Sequence, residues 1–299
     1  MALVLCIGAL PILIPASAYA GEKGAAGLQD PEAESAKTDV EPLKDERPKS
    51  KADWLWEDYR KPVGLTYFAQ VSLNSMYNWR GFYSGGLNLQ PVASVGYGGA
   101  YIETWWNLGS TDWKFTGFLP EMDWKVGFNR WGLDLSLLYV HFLDRTDLDL
   151  GISSSNSMEV GLRYTLSNKV PLSILRGTRV AGMDGYENAA GDTVRAYSTY
   201  VEISYTQYFK YGLSLYGAFG FSPWKSLYSG FQRDFTAQNI DIRLRKDWDV
   251  SDHCGLMLRA QFTIIPWLLA EDRNTAKWNF DDPFDQAINL NLSFGVYLK

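Results

Sequence analysis

Cysteine, histidine and long apolar runs are what this chain has least of. Two Cys and two His occur in 299 residues. Cys6 sits in the N-terminal leader described below, which leaves Cys254 alone and no intrachain disulfide open to the mature protein. His253 and Cys254 are neighbours, but nothing nearby completes the tetrahedral ligand set that a structural zinc needs. No metal site and no cofactor is therefore expected. Basic runs are missing as well: the formal net charge is -6, and no Lys/Arg cluster offers a footprint for nucleic acid. Beyond residue 20 no apolar stretch approaches the ~20 residues that a spanning helix requires. If this chain crosses a membrane, it crosses as strands.

The one long apolar run covers residues 2–16 and is followed by Ser17-Ala18-Tyr19-Ala20-Gly21. Ala18-x-Ala20 is a small-residue cleavage pattern, so residues 1–20 read as a secretory signal peptide, although no Lys or Arg precedes the run. Residues 21–62 are rich in Glu, Lys, Asp, Pro and Ala. Such a segment buries too little apolar surface to order itself and is expected to form a disordered periplasmic tail. Asp53-Trp54-Leu55-Trp56-Glu57-Asp58-Tyr59 interrupts that composition and reads as an aromatic anchor at the inner membrane interface, or as a short element entering a barrel mouth.

Aromatics and glycine are plentiful: 15% of residues are aromatic and 27 are Gly, yet the mean hydropathy is only -0.20. A transmembrane barrel has this profile because its apolar residues alternate with polar ones. Residues 288–298 show the pattern most clearly. Ile288, Leu290, Leu292, Phe294, Val296 and Leu298 alternate with Asn289, Asn291, Ser293, Gly295 and Tyr297, which is a strand with one apolar and one polar face. The same rhythm predicts about 12 strands, at 65–80, 89–98, 100–108, 121–129, 131–142, 156–166, 171–181, 194–207, 212–222, 237–248, 254–265 and 285–298. In the first of these, Tyr67, Leu73, Tyr77 and Trp79 fall on the outward face and Gln70, Ser72, Asn74 and Arg80 on the inward one. The stretch 171–181 has no clean parity, so it requires either a bulge or a different strand count.

The connections alternate in length. Short ones fall at Gly98-Gly99, Asn129-Arg130, Ser167-Asn168-Lys169, Lys210-Tyr211 and 249–252, with long ones at 81–88, 109–120, 143–155, 182–193, 223–236 and 266–284. Aromatics gather at both ends: Trp79, Trp106, Phe221, Trp224 and Trp267 near the long loops, and Tyr67, Tyr97, Trp131, Tyr164, Tyr205, Tyr211 and Trp248 near the short turns. A secreted β-sandwich would share the alternation but has no reason to sort its loops by length or its aromatics to strand ends.

Tyr77-Asn78-Trp79-Arg80-Gly81, then Leu87-Asn88-Leu89-Gln90-Pro91, then Tyr97-Gly98-Gly99-Ala100-Tyr101 and Trp105 resemble the first hairpins of the TorF-type porins. The resemblance covers roughly residues 71–110 and implies an outer-membrane barrel of Gram-negative bacteria without a well-defined substrate. The chain departs from that family in its long charged tail and in ending on Leu298-Lys299 instead of an aromatic.

With this parity the barrel interior receives Arg80, Glu103, Trp105, Glu121, Asp123, Lys125, Asp134, Glu159, Arg163, Glu202, Asp241, Arg243, Arg245, Arg259 and Gln261. Two outcomes follow from one composition. Buried charges must be paired, so a cross-lumen ion-pair network would hold a narrow barrel shut. Alternatively, opposed acidic and basic walls line a water-filled channel and orient small polar solutes. Arg243, Arg245 and Arg259 on neighbouring strands favour anionic solutes, while Tyr101, Trp105, Tyr200 and Tyr216 offer ring faces for stacking.

Enzyme chemistry has little to stand on. His141 falls on the outward parity near the long-loop end, where an outer-membrane phospholipase would place its His, but no Ser or Asn partner shows at useful spacing. Asp144, Asp147 and Asp149, and Asp281, Asp282 and Asp285, are loop carboxylates that solvate the surface or bridge lipopolysaccharide through divalent cations. The chain is thus expected to be an all-β transmembrane antiparallel up-and-down barrel, residues 63–299, in the bacterial outer membrane with both termini periplasmic. Its expected role is a narrow porin for small polar or anionic solutes. A sealed-lumen barrel with a structural or adhesive role through its extracellular loops is the alternative. Expected partners are outer-membrane lipid and lipopolysaccharide, the outer-membrane assembly machinery and small solutes, with no nucleic acid.

Overall fold

The computed structural model describes residues 64–110, 118–143, 150–152, 154–167, 169–231, 233–271 and 287–298. The predicted signal peptide, the tail with its aromatic motif at 53–59, and the acidic loop residues Asp144, Asp147, Asp149, Asp281, Asp282 and Asp285 lie outside them. In chain order the strands begin with β1 (Leu65–Asn74), β2 (Tyr77–Trp79), β3 (Phe82–Gly85), β4 (Asn88–Tyr97), β5 (Ala100–Ser110), β6 (Phe118–Arg130), β7 (Leu133–Phe142) and β8 (Ser157–Thr165). They continue with β9 (Leu172–Gly182), β10 (Gly185–Glu187), β11 (Thr193–Arg195), β12 (Thr199–Tyr208), β13 (Leu213–Ser222), β14 (Thr236–Ser251), β15 (Cys254–Ile264) and β16 (Ile288–Leu298). Twelve of these close into one antiparallel barrel, in the ring order β1-β16-β15-β14-β13-β12-β9-β8-β7-β6-β5-β4. The other four make two hairpins at the long-loop end, β2–β3 and β10–β11.

Burial in this barrel is inverted relative to a water-soluble protein. In β16 the polar residues Asn289, Asn291 and Ser293 are buried inside, while Leu292 and Phe294 are each 51% exposed on the outside. β1 repeats this, with Gln70, Ser72 and Asn74 inside and Leu65, Tyr67 and Leu73 exposed. So does β14, with Asp241 and Arg243 inside and Ile240, Ile242 and Leu244 exposed. An exposed Leu or Phe gives up roughly 1.5–3 kcal/mol of burial in water, and a whole wall of them is stable only where hydrocarbon is the solvent. Closure comes from β1 pairing with β16, from Ala69 opposite Leu298 to Asn74 opposite Ser293, so neither strand is left with an open edge. Both ends of the barrel chain lie at the short-turn end, since Leu65 pairs with Tyr97 and Leu298 with Cys254.

Three of the short connections are built on pairs of left-handed residues, Tyr211-Gly212 among them. Gly98 and Gly99 have φ of 66° and 97°, and Trp131 and Gly132 have 56° and 76°. Two positive φ values in succession make the primed turn whose twist matches the flanking strands. That requirement corrects the expected turn at Asn129-Arg130. Neither residue has a positive φ; both stay in β6, and the turn falls at Trp131-Gly132, where glycine supplies the second left-handed position.

The stretch without clean parity is a strand after all. In β9 the register with β8 slips between Met158 and Glu159, which pair with Ala181 and Arg179, so Val180 is the extra residue. Inward Ser173, Gly177 and Arg179 then alternate with outward Leu172, Ile174 and Arg176. Three further expectations are overturned. The first strand stops at Asn74 instead of reaching residue 80, and Tyr77 and Trp79 do not face outward. They form the hairpin β2–β3, which folds into the lumen, with Tyr77 only 7% exposed. Likewise the eighth predicted strand divides: 193–195 belong to the β10–β11 hairpin, and the barrel strand begins at Thr199.

Candidate functional site: the lumen and its inward hairpin

The inward hairpin is set by two residues. Arg80 (φ 52°) and Gly81 (φ 77°) are both left-handed, and Trp79 pairs with Phe82 across them, which is a two-residue primed turn. A Cβ on residue 81 would stand 2.6 Å from the carbonyl oxygen of Gln238 in β14, so glycine lets the turn rest directly on the barrel wall. Beneath the turn, Tyr77 packs on Trp105 at a centroid distance of 5.2 Å. Val92 and Phe68 complete a small apolar cluster inside an otherwise polar lumen.

Arg80 at the tip crosses to β8. Its Nη1 and Nη2 donate to Glu159 Oε2 at 2.5 Å and Oε1 at 2.7 Å, and Nη1 also donates to the Tyr228 hydroxyl at 2.6 Å. The guanidinium lies over the rings of Trp79 (4.4 Å), Tyr200 (4.6 Å) and Tyr228 (5.8 Å). Residue 177 has to be small here, because a Cβ would fall 2.2 Å from Glu159 Oε1. The planar two-pronged pair and the surrounding rings together meet the desolvation cost of burying both charges.

Below the hairpin is an internal cavity of about 180 Å³. Arg80, Glu103, Trp105, Asp123, Lys125 and Glu159 border it, as do Arg163, Glu202, Asp241, Arg243, Arg259 and Gln261. Arg245 does not: it is held by Asp247 on its own strand at 2.7 Å. Asn78, Trp79 and Tyr77 also line the cavity, and Tyr228 closes over Arg80 from the loop after β13. The parity of the first predicted strand also turned Asn78 inward, but sequence reasoning missed Tyr77, Trp79 and Tyr228 as lumen residues. Arg80-Gly81 between aromatics was a legible hairpin signal for Tyr77 and Trp79, whereas Tyr228 sits in a one-turn 3-10 segment (Leu227–Ser229) with no periodicity to read.

Charge in the cavity is unevenly divided between walls. β5 and β6 contribute Glu103, opposite Lys125, and Trp105, opposite Asp123. Lys125 is drawn aside to Asp134 (3.7 Å) and the Tyr101 ring (5.3 Å). Glu103 Oε2, Asp123 Oδ1, Trp105 Nε1 and Asn78 Nδ2 are buried without a hydrogen-bond partner. β14 and β15 contribute Arg243 and Arg259, together with Asp241, whose carboxylate accepts from Asn239, Gln261 and Thr263. Arg243 donates from Nε to Gln261 (3.1 Å) and covers the Tyr216 ring; Arg259 donates to Ser293 and Asn74. Among the described residues neither arginine has an ion-pair partner. The two walls lie nearly opposite: β13, β12, β9, β8 and β7 intervene on one side, β4, β1 and β16 on the other. Between them, Glu202 accepts from the hydroxyls of Tyr200 (2.8 Å) and Tyr216 (2.7 Å), so those rings are fixed in place.

The cross-lumen ion-pair network weighed above is therefore partial, with Arg80–Glu159 its long-range member. His141 does acquire an Asn, because its Nδ1 lies 2.9 Å from Asn156 Oδ1 and its ring stacks on Tyr139. Among the described residues no serine hydroxyl bonds to it.

No family model matches the chain, and no curated protein is similar to it. Among solved structures it is similar to a porin refined at 1.8 Å resolution, at 10% identity and a TM-score of 0.29, over 71% of this chain and 61% of that one. It is also similar to the high-pH structure of Pseudomonas putida OprB, at 10% identity and a TM-score of 0.27, over 73% of this chain and 60% of that one. The chain thus spans less than two thirds of either, and likenesses so distant carry no argument about what it does. The barrel class rests on the closed twelve-strand ring of the chain itself.

Proposed function

We propose that this protein is a Gram-negative outer-membrane channel, a narrow porin for small polar solutes. The observation that carries the reading is the inverted burial: an apolar exterior around a lumen of opposed charges that encloses a cavity of about 180 Å³. Charged walls around a polar space orient solutes by field and hydrogen bonding, while the inward hairpin keeps the passage narrow. The resemblance of residues 71–110 to TorF-type porins supports the same reading. Short turns and both barrel termini then face the periplasm, and the long loops meet lipopolysaccharide. No enzymatic role is proposed.

Single-channel recording of the full mature chain in planar bilayers tests this. Discrete openings at neutral pH are expected. Silence after verified insertion removes the channel and leaves a sealed barrel that acts through its outer loops. Arg243→Glu should shift ion selectivity towards cations; unchanged selectivity would mean that this wall does not border the conducting path.

A further inference from the structure

The cavity has two kinds of unmet bonding capacity on opposite sides. On the acidic wall, Glu103 is 3% exposed and Trp105 is 6% exposed, yet Glu103 Oε2 and Trp105 Nε1 make no hydrogen bond. Asp123 Oδ1, on the adjacent strand, is also without a partner. Lys125, the cation placed to neutralise them, is held at Asp134 and Tyr101. On the basic wall, Arg243 is 7% exposed and its hydrogen bond to Gln261 runs through Nε, leaving both Nη groups for the cavity. Arg259, 3% exposed, is satisfied only by neutral oxygens.

A buried carboxylate or guanidinium with no opposite charge in ion-pair contact is costly, and a fold assembled for stability alone would have let these two walls pair. They cannot, because they stand on nearly opposite sides of the ring. One small molecule carrying a positive and a negative end would compensate both. We infer that the cavity is a binding site for zwitterionic solutes, with an ammonium or guanidinium end at Glu103 and Asp123 and a carboxylate end at Arg243 and Arg259. The inference deepens the channel reading and rests on it for access to the lumen. Water satisfies either wall separately, but only a two-headed solute links them, so single-charge analogues are the decisive controls. A purely anionic solute would gain Arg243 and meet repulsion from Glu103 and Asp123. A purely cationic one meets the converse.

The test uses ε-aminohexanoate against hexanoate and hexylamine at neutral pH. Binding is read by intrinsic tryptophan fluorescence of the detergent-solubilised full mature chain, and by blockade of current in bilayers. The zwitterion should half-saturate at a concentration at least roughly 10-fold below either analogue, since each end gains a hydrogen bond to a charged group. Glu103→Gln should bring the zwitterion down to the level of hexanoate, and Arg243→Gln to that of hexylamine. Arg243→Lys keeps the charge and should restore most of the preference, which separates loss of a binding group from loss of the fold. Equal half-saturation by all three compounds overturns the inference, as does hexylamine or hexanoate alone matching the zwitterion. A silent bilayer with zwitterion preference in detergent would sink the channel and keep the site; conduction without that preference would do the reverse.

Discussion

The two hairpins at the long-loop end are built to the same length scale and come to rest in opposite places. β2–β3 turns into the lumen, and its tip is held by the barrel: Arg80 on Glu159, Gly81 against Gln238, Tyr77 on Trp105. β10–β11 stays outside and its tip is held by itself, with Asn188 Oδ1 accepting from the amides of Ala190 (2.9 Å) and Asp192 (3.0 Å). Its base is tied by Arg195 to the Gly182 carbonyl and by Asp184 to the Ser198 amide. What differs is where the bonding capacity of the tip can be met. A guanidinium with aromatic neighbours finds its carboxylate and rings only across the lumen, whereas a turn closed by one asparagine side chain is complete in water.

Breaking the clamp should have the largest effect. Glu159→Ala leaves a buried guanidinium unpaired and should weaken the seating of the inward hairpin by about 3–5 kcal/mol. Amide exchange over residues 77–85 should speed up and unitary conductance should rise; unchanged protection would show that the apolar cluster under Tyr77 seats the hairpin unaided. Gly81→Ala comes next. It forces a Cβ against the Gln238 carbonyl in a left-handed conformation worth about 1–2 kcal/mol, and should raise conductance less than Glu159→Ala does. Outside, Asn188→Ala should cost within about 1 kcal/mol of stability and leave conductance unchanged, because its bonds are local and solvated. A conductance change there would erase the distinction between the two hairpins.

The smallest expected effect is one of pH. Burial raises the Asp184 carboxyl above its ordinary value, against hydrogen bonds from Ser198 that lower it. A raised acid favours the folded state when protonated, so its contribution is full below the ordinary aspartate range and is lost as pH rises through the raised value. Protection of the Ser198 amide, corrected for intrinsic exchange, should therefore be weaker at about pH 7 than at about pH 4. Asp184→Asn should flatten that dependence, and a profile that survives the substitution would point to another group.

Much of the barrel was legible because a period-2 pattern commits every residue of a strand to one of two solvents. Once Leu292 and Phe294 go to lipid, Asn291 and Ser293 must go inside, and the same parity carried Glu103, Asp123, Arg243 and Arg259 to the lumen. Tyr77 and Trp79 show where the reasoning fails. They continue the parity of β1 but belong to a separate hairpin, and parity has no term for a chain reversal. Trp131-Gly132 failed for a related reason, since the turn is fixed by which residue accepts a second positive φ and not by where the charges lie. Tyr228, in an aperiodic loop, left no trace.

The residue order alone therefore determined that strands of this period would form, how many would make the barrel wall, and which side chains of that wall would be inward. Alternation is a local property, enforced residue by residue by the pleat. Only closure of the ring decided which inward groups meet. It brought Arg80 to Glu159 from 79 positions away, and it held the carboxylates of β5 and β6 apart from the arginines of β14 and β15. Distance across a barrel depends on strand number and register together, and no stretch of sequence carries both.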